Sequence, residues 1–351
     1  MKPVLAIIFG GATAEHEISL LSAMHVIENI DHSRYDVLQI GIDQESNMYA
    51  GPQVLMTLKH NLDRSSLAPC MISTNGHFPG VMIFPPGKPA VFQKVNIFFP
   101  LTHGPLGEDG TLQGVLEYSK VPYVSSGVLG SALAMDKIIS KKIFATYRLP
   151  QVPFLPFRRD EIQTDLLSVC DAITRDLHFP LYVKPANLGS HLGIRKVTNL
   201  GKLEDALEYA CKYSDRIIVE QGLGNIRELS CAVIGDYHLE ISKVGEVTSA
   251  SEFYDKDTKY HGEAAQVLIP APLDSHIVAE IQSMAQQAFR ILHLRGMARI
   301  DFFLNGNQVF INNVNTIPSF SSTSLFCKLF ASEGIDIKQL IQKLIDISLQ
   351  A

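Results

Sequence analysis

The stretch from Arg299 to Ser324, RIDFFLNGNQVFINNVNTIPSFSSTS, limits what this 351-residue chain can fold into more than any other. An apolar run over residues 296–304 turns through Asn305, Gly306 and Asn307 and returns over residues 308–313. Two apolar runs joined by an Asn/Gly turn predict a β-hairpin. Residues two apart on a strand share a face. Arg299 and Asp301 therefore point the same way, as do Asn313 and Asn315 if the strand runs that far. A cation, a carboxylate and two amides meeting on one face suit a hard metal ion and phosphate oxygens. A hairpin with a solvated polar face would carry the same pattern.

The rest of the chain narrows the class. It is 46% apolar and 19% charged, with no apolar run of membrane-spanning length. The opening MKPVLAIIFGG is too short for a signal peptide and runs into an acidic segment, so it reads as a first strand. A net charge of −6 argues against nucleic-acid or anionic-membrane partners. Five scattered cysteines without a CxxC fit reduced thiols in a cytoplasmic enzyme rather than disulfides or zinc.

An α/β architecture of three units follows from the order of patterns. Residues 1–125 read as an open parallel sheet: strands over 4–10, 35–42, 97–101 and 121–124, with a Gly-rich turn and a helix from about 14 to 30. The apolar positions of that helix fall at Ile18, Leu21, Met24 (or His25) and residues 27–30. Residues 44–95, rich in Pro, Gly and Ser, read as an elaborated surface insertion. Residues 126–220 form a smaller α+β unit with a helix over 131–147. Residues 221–351 hold the hairpin, a long loop over about 245–262, and a terminal helix.

Each polar residue here has an ordinary reading beside a functional one. Glu15, with His16 and Glu17, stands where the first strand delivers its helix; the helix dipole favours a carboxylate there, and so would a substrate ammonium. His103 is either a turn residue or exposed to a ligand by its neighbouring glycines. The loop after Lys184, PANLGSHLG, lies between strands, so it is neither a P-loop nor a dinucleotide fingerprint. It either turns the chain or lays N–H groups over phosphates. Lys137, Glu220 and Glu228 read as solvated charges or as nucleotide contacts, and Tyr254, Lys259 and Tyr260 lie in a loop long enough to be a lid.

Seven segments in order settle the grouping: IFGGATAEHEISLLSA, HGPLGEDGTLQGVLE, VSSGVLGSALAMDK, FPLYVKPANLGSHLGI, VEQGLGNIRE, FYDKDTKY and the 299–324 stretch. Together they resemble the D-alanine–D-alanine ligases of the ATP-grasp superfamily over nearly the whole chain. The resemblance implies a three-domain ATP-grasp fold, with ATP held between two α+β domains, and a homodimer. It implies ATP-dependent joining of two D-alanines for peptidoglycan synthesis. The first carboxylate takes the γ-phosphoryl group of ATP, and the amine of the second alanine attacks the acyl phosphate. Carried over by position, Glu15 holds the first ammonium, with His103 lining the same pocket. Lys137, Lys184 and Ser190 meet the phosphates, while Glu220, Gln221, Leu223 and Glu228 surround adenine and ribose. Arg299 stabilises the transferring charge, and Ser319 and Ser324 serve the second substrate. Asp301, Asn313 and Asn315 stand at the Mg²⁺ or Mn²⁺ positions. Lys259 and Tyr260 belong to the lid, and a tyrosine there is typical of ligases that make the dipeptide rather than a depsipeptide.

Three residues depart from the family pattern. Asn313 stands where a glutamate bridges two metal ions, Ser319 where a glycine offers its N–H, and His191 beside Ser190 where a small residue is usual. Two unit charges about 4 Å apart interact by roughly 4 kcal/mol at an effective dielectric near 20, so loss of a carboxylate weakens a metal site by several kcal/mol. A serine at 319 is disfavoured if its φ must be positive. Besides an active ligase, the sequence therefore admits a ligase-like protein that binds nucleotide or D-alanine without turnover, and a ligase with another second substrate.

Overall fold

The structure, a computed structural model, describes residues 2–189, 192–248 and 266–350. Its first unit runs β1 (Val4–Gly10), α1 (His16–Asn29), β2 (Asp36–Ile42), β3 (Met48–Ala50), α2 (Val54–Lys59), β4 (Ala68–Ile72), β5 (Gly80–Ile83), β6 (Val91–Lys94), β7 (Ile97–Pro100) and α3 (Thr111–Ser119). The sheet has the order β6-β5-β4-β3-β2-β1-β7. β1 is parallel to both β2 and β7. It is apolar throughout because both of its faces are covered. Leu5, Ile7 and Phe9 pack with α1, while Ala6 and Ile8 pack with Leu112 and Leu116 of α3. Gly10 ends the strand at φ +89°, where a β-carbon would lie 2.1 Å from the Ile42 carbonyl oxygen.

Only the three strands β2, β1 and β7 make the expected parallel sheet. The segment read as a surface insertion instead supplies β3 to β6, each antiparallel to the one before. Its Pro, Gly and Ser residues are the turns between short strands. Residues 121–124 contribute a single parallel bridge, Phe98 to Tyr123. Pro122, having no N–H to donate, limits the ladder there.

The second unit runs α4 (Val128–Met135), α5 (Lys137–Thr146), β8 (Phe154–Arg158), α6 (Arg159–Thr164), α7 (Leu166–Asp176), β9 (Leu181–Pro185), β10 (Arg195–Val197), α8 (Leu203–Cys211) and β11 (Arg216–Gln221), with the sheet order β10-β9-β11-β8. The helix expected over 131–147 is broken at Asp136. The carboxylate of Asp136 caps α5 by accepting from Ile139 N at 3.0 Å. The break sets Lys137 on the first turn of α5, and its backbone N–H is bonded to the Ala186 carbonyl just past β9 at 2.9 Å.

β12 (Ile226–Gly235), β13 (Leu239–Ile241), β14 (Gly245–Thr248), β15 (Gln266–Leu268), α9 (Ser275–Ile291), β16 (Gly296–Asn305), β17 (Gln308–Asn315), α10 (Leu325–Ala331) and α11 (Ile337–Gln350) complete the chain. The third sheet has the order β15-β14-β12-β16-β17, with β13 paired to β12. One of its faces, with Leu229, Cys231, Ile300, Phe302, Ile311 and Val314, packs on α9. At one end, Ala232, Ile234 and Met297 join the core that contains Phe9 and Phe99 of the first sheet. The polar face of the hairpin is thereby held against the end of the N-terminal sheet.

Candidate functional site

The floor of the site is the face of the third sheet turned away from α9. Antiparallel partners share a face. The register pairs Ser230 with Asp301 and Ala232 with Arg299 across β12 and β16, then Asp301 with Asn313 and Arg299 with Asn315 across β16 and β17. The alternation of Val309 and Ile311 toward the core would turn Asn313 inward as well. A β-bulge prevents this: the register shifts between Asp301 and Phe302, so Asn312 is the extra residue and Val314 takes the core position. Asn313 and Asn315 thereby join Arg299 and Asp301. Glu228 lies one pair further along the same face, opposite Phe303, and is exposed.

These side chains form one network. Arg299 grips Asp301 with two bonds, Nε to Oδ1 at 2.7 Å and Nη2 to Oδ2 at 2.9 Å. Ser230 Oγ donates to Oδ1 at 2.7 Å, and Asn315 Nδ2 to Oδ2 at 3.2 Å. Asn313 Nδ2 donates to Asn315 Oδ1 at 3.3 Å. The three candidate metal residues offer oxygens only, which suits a hard divalent cation, but a single negative charge, which Arg299 already balances. No group of three or more His, Cys, Asp or Glu side chains with metal-binding placement occurs among the described residues. The set fits one ion that brings further ligands with it, as Mg²⁺ commonly does with substrate phosphates.

Facing this is a cluster of opposite character. Glu220, at the end of β11, is 3% exposed. Its Oε2 accepts from Lys184 Nζ of β9 at 2.5 Å, and its Oε1 lies 3.3 Å from Lys141 Nζ of α5. Burial alone would raise the Glu220 carboxyl; the charges of Lys141 and Lys184 overcome it and hold it down at about 2. Lys141 is itself 1% exposed, and burial lowers its ammonium. Lys137 Nζ, one turn earlier, donates to the Leu188 carbonyl at 2.7 Å. Burial, and then repulsion from Lys184, push Lys137 down to about 8. Two ammonium groups thus hold one ionised carboxylate, with that of Lys137 one turn away, a surplus of positive charge that a polyphosphate would neutralise. Gln221 is engaged at the strand end, its Oε1 accepting from His178 N at 3.0 Å; Leu223 follows in the loop to β12, half-buried.

The third side is the end of β1 and β7. Glu15 precedes α1, and its carboxylate makes no capping bond to the helix. Instead it lies between two glycine backbones. A β-carbon at Gly104 would come within 3.2 Å of Glu15 Oε2, and one at Gly189 within 2.5 Å. Glycine at both positions lets the 186–189 segment close on the carboxylate. His103 is buried at the head of the same loop. Gln113 locks that loop, its Nε2 donating to the Gly107 carbonyl and its Oε1 accepting from Gly110 N. Glu108 is buried in the same loop. Its carboxyl is pushed up to about 8 by burial and then by Glu15, against a Gly104 backbone hydrogen bond and the charges of Lys137 and Arg299.

The segment after β17 closes the site. Ser319 keeps a negative φ, so the departure from glycine carries no backbone strain. Its N–H has no hydrogen-bond partner among the described residues. Ser324 is buried; its hydroxyl donates to the Ser319 carbonyl and caps α10 by accepting from Cys327 N at 3.5 Å. Ser190, His191, Tyr254, Lys259 and Tyr260 lie outside the described residues.

Sequence reasoning missed Lys141 and Glu108. Lys141 follows Lys137 by one helical turn, a spacing that stacks two side chains on one face. Glu108 stands beside Asp109 in a Gly-rich loop after a strand, and of this pair Asp109 serves the local turn, accepting from Leu106 N and Thr111 N.

Comparison with known proteins gives a consistent grouping. Residues 4–126 match the family model described as D-ala D-ala ligase N-terminus, and residues 143–346 the one described as D-ala D-ala ligase C-terminus. A D-alanine–D-alanine ligase of Heliobacterium modesticaldum is 40% identical, over 99% of this chain and 95% of its own length. One from a Thermoanaerobacter species is 38% identical, over 100% and 97%. Among solved structures, the VanG D-Ala:D-Ser ligase of Enterococcus faecalis superposes with a TM-score of 0.88 at 31% identity, covering 99% of this chain and all of that one.

Proposed function

This chain belongs to the D-alanine–D-alanine ligase family, and we propose that it uses ATP to join two D-alanines into D-alanyl-D-alanine for peptidoglycan synthesis. The observation that carries the reading is a junction of charges: Glu15 lies against Gly104 and Gly189, Lys137 is bonded to the adjacent Leu188 carbonyl, and Arg299 stands on the strand whose Met297 joins the core of the first unit. A reaction that brings an ammonium, a triphosphate and a carboxylate together needs such a junction. Full-length relatives at 38–40% identity favour this over a binding protein without turnover, and D-alanine over another second substrate.

Glu15 orients the ammonium of the first D-alanine beside His103. Lys137 and Lys184 bind the phosphates, and Lys184 releases Glu220 as it does so. Glu220, Gln221, Leu223 and Glu228 border the nucleoside. Arg299 turns from Asp301 toward the transferring phosphoryl group, where fixed positive charge matters most. Ser319 N–H faces the developing oxyanion, and Ser324 the acceptor carboxylate. Ser190, Lys259 and Tyr260 close the site by their family positions. Asp301, Asn313 and Asn315 would hold a single Mg²⁺ or Mn²⁺, which when bound neutralises charge on the phosphate oxygens. We place the reaction in the cytoplasm, where ATP is available, in a homodimer.

The test is turnover. Purified protein with ATP, Mg²⁺ or Mn²⁺ and D-alanine is expected to release phosphate and form the dipeptide, with D-serine a poorer acceptor in competition. ATP binding without D-alanine-dependent turnover in either metal would overturn the assignment.

A further inference from the structure

Helix α1 carries a polar series that its role behind Glu15 does not explain: His16, Ser19, Ser22 and His25, each three residues after the last. Ser19 and Ser22 are fully buried and His16 nearly so, whereas Leu21, expected on the apolar face, is 40% exposed. Each member of the series reaches a loop. His16 Nδ1 lies 2.9 Å from the Gly11 carbonyl. Ser19 Oγ accepts from Gly10 N and donates to the Leu101 carbonyl, both at 2.7 Å, tying the ends of β1 and β7 together. Ser22 Oγ accepts from Phe320 N at 3.0 Å and shares a hydrogen bond with Ser319 Oγ at 3.1 Å. His25 Nδ1 donates to the Phe320 carbonyl at 2.6 Å.

The spacing explains how one helix serves both ends. At 3.6 residues per turn, steps of three drift by about 60° around the axis. The series therefore winds from the strand ends under Glu15 to the side that meets the segment after β17. Phe320 is fixed completely there. Both of its backbone polar groups are taken by α1, and its buried ring lies edge-on to Phe99 at 5.7 Å and beside Phe326 at 5.4 Å. Its neighbour Ser319 carries the open N–H. The Ser319 hydroxyl, absent from the glycine usual here, also joins a chain through Ser321 Oγ at 3.4 Å to Thr323 Oγ1 at 3.3 Å.

We infer that Ser22 and His25 are positioning residues for the acceptor subsite, and that α1 sets its distance from the Glu15 subsite. The inference rests on the ligase reading above. Both act through the segment after β17: His25 and Ser22 through the Phe320 backbone, and Ser22 also through the Ser319 hydroxyl. Their loss therefore moves the second D-alanine and leaves the first in place.

The test measures the two Michaelis constants for D-alanine separately, and traps the acyl phosphate of the first D-alanine with hydroxylamine. In Ser22→Ala the second constant is expected to rise about tenfold, the loss of roughly one buried hydrogen bond. The first constant and the hydroxamate yield stay within about twofold, the limit set by a bond not made to that subsite. His25→Leu is expected to act in the same direction, and His25→Gln, which keeps a donor, to restore much of the loss. If Ser22→Ala does not fold, the His25 pair decides. Equal rises in both constants, or none, overturn the inference. A wild-type protein that makes no dipeptide overturns the ligase reading instead.

Discussion

The two ends of the proposed nucleotide cleft pose opposite electrostatic problems. Around Glu220, two lysines meet one buried carboxylate, and Lys137 stands one turn from Lys141. On the hairpin, Arg299 and Asp301 cancel, Asn313 and Asn315 are neutral, and the side chains of the pair are 18% and 21% exposed. The lysine end is built to receive negative charge before any ligand arrives. Among the described residues, the candidate metal set on the hairpin offers a divalent cation little net negative charge. Under the proposed function the difference implies an order: the phosphates bind at the lysine end, and their oxygens then supply the negative charge that the hairpin set lacks. In a family pattern with glutamate at 313 the protein itself would supply it.

Breaking the lysine end should have the largest effect. In Lys141→Met, Glu220 keeps one cation, and that cation must leave it to meet a phosphate. Removing one partner of a buried pair costs on the order of 3 kcal/mol, readable by urea unfolding. Because the Glu220 carboxyl is held at about 2, below its ordinary 4.5, it stabilises the fold above the unfolded value, and that stability is lost as pH falls toward 2. With Lys141 gone the carboxyl rises, so acid unfolding should begin at a higher pH than in the wild type. An unchanged acid limb would show that Lys184 alone sustains the charge.

Lys137 sharpens the contrast by pH. Its ammonium is held at about 8, and phosphate keeps it protonated, so affinity for ATP should be level below pH 8. Above that it should fall by up to about tenfold per pH unit as the free lysine loses its proton. The Michaelis constant for ATP between pH 6.5 and 9.5, about 1.5 units either side of that value, reads this directly. Lys137→Met should bind weakly and without that pH dependence.

How much of this the sequence disclosed depends on the distance over which each feature is decided. The hairpin was legible because its turn, alternation and polar set are local. Even the bulge left a trace, since Val309, Ile311 and Val314 break a strict alternation at Asn312 and Asn313. The charge cluster was half legible: Lys137, Lys184 and Glu220 were reached through the resemblance, but Lys141 looks like any basic helix residue until β11 is set beside α5. On α1 the apolar face was read correctly at Ile18, Met24, Ile27 and Ile30 and wrongly at one position. Periodicity assigned Leu21 to the buried face, and nothing local shows that Ser22 and His25 have partners in a segment 295 residues or more away. Hydrogen bonds satisfied from so far off make polar residues buriable where composition argues against it.

Manganese binding tests the account most directly. Titration of the wild-type protein with Mn²⁺, followed by the paramagnetic signal of the free ion, should show no saturable site at millimolar metal without nucleotide. A single ion should bind once a non-hydrolysable ATP analogue is present. Asn313→Glu should restore nucleotide-independent binding, tighter by about tenfold or more, in line with one added charge near the ion. Tight Mn²⁺ binding to the wild-type protein without nucleotide, or two ions in its nucleotide complex, would contradict the claim that the phosphates supply the charge this hairpin lacks.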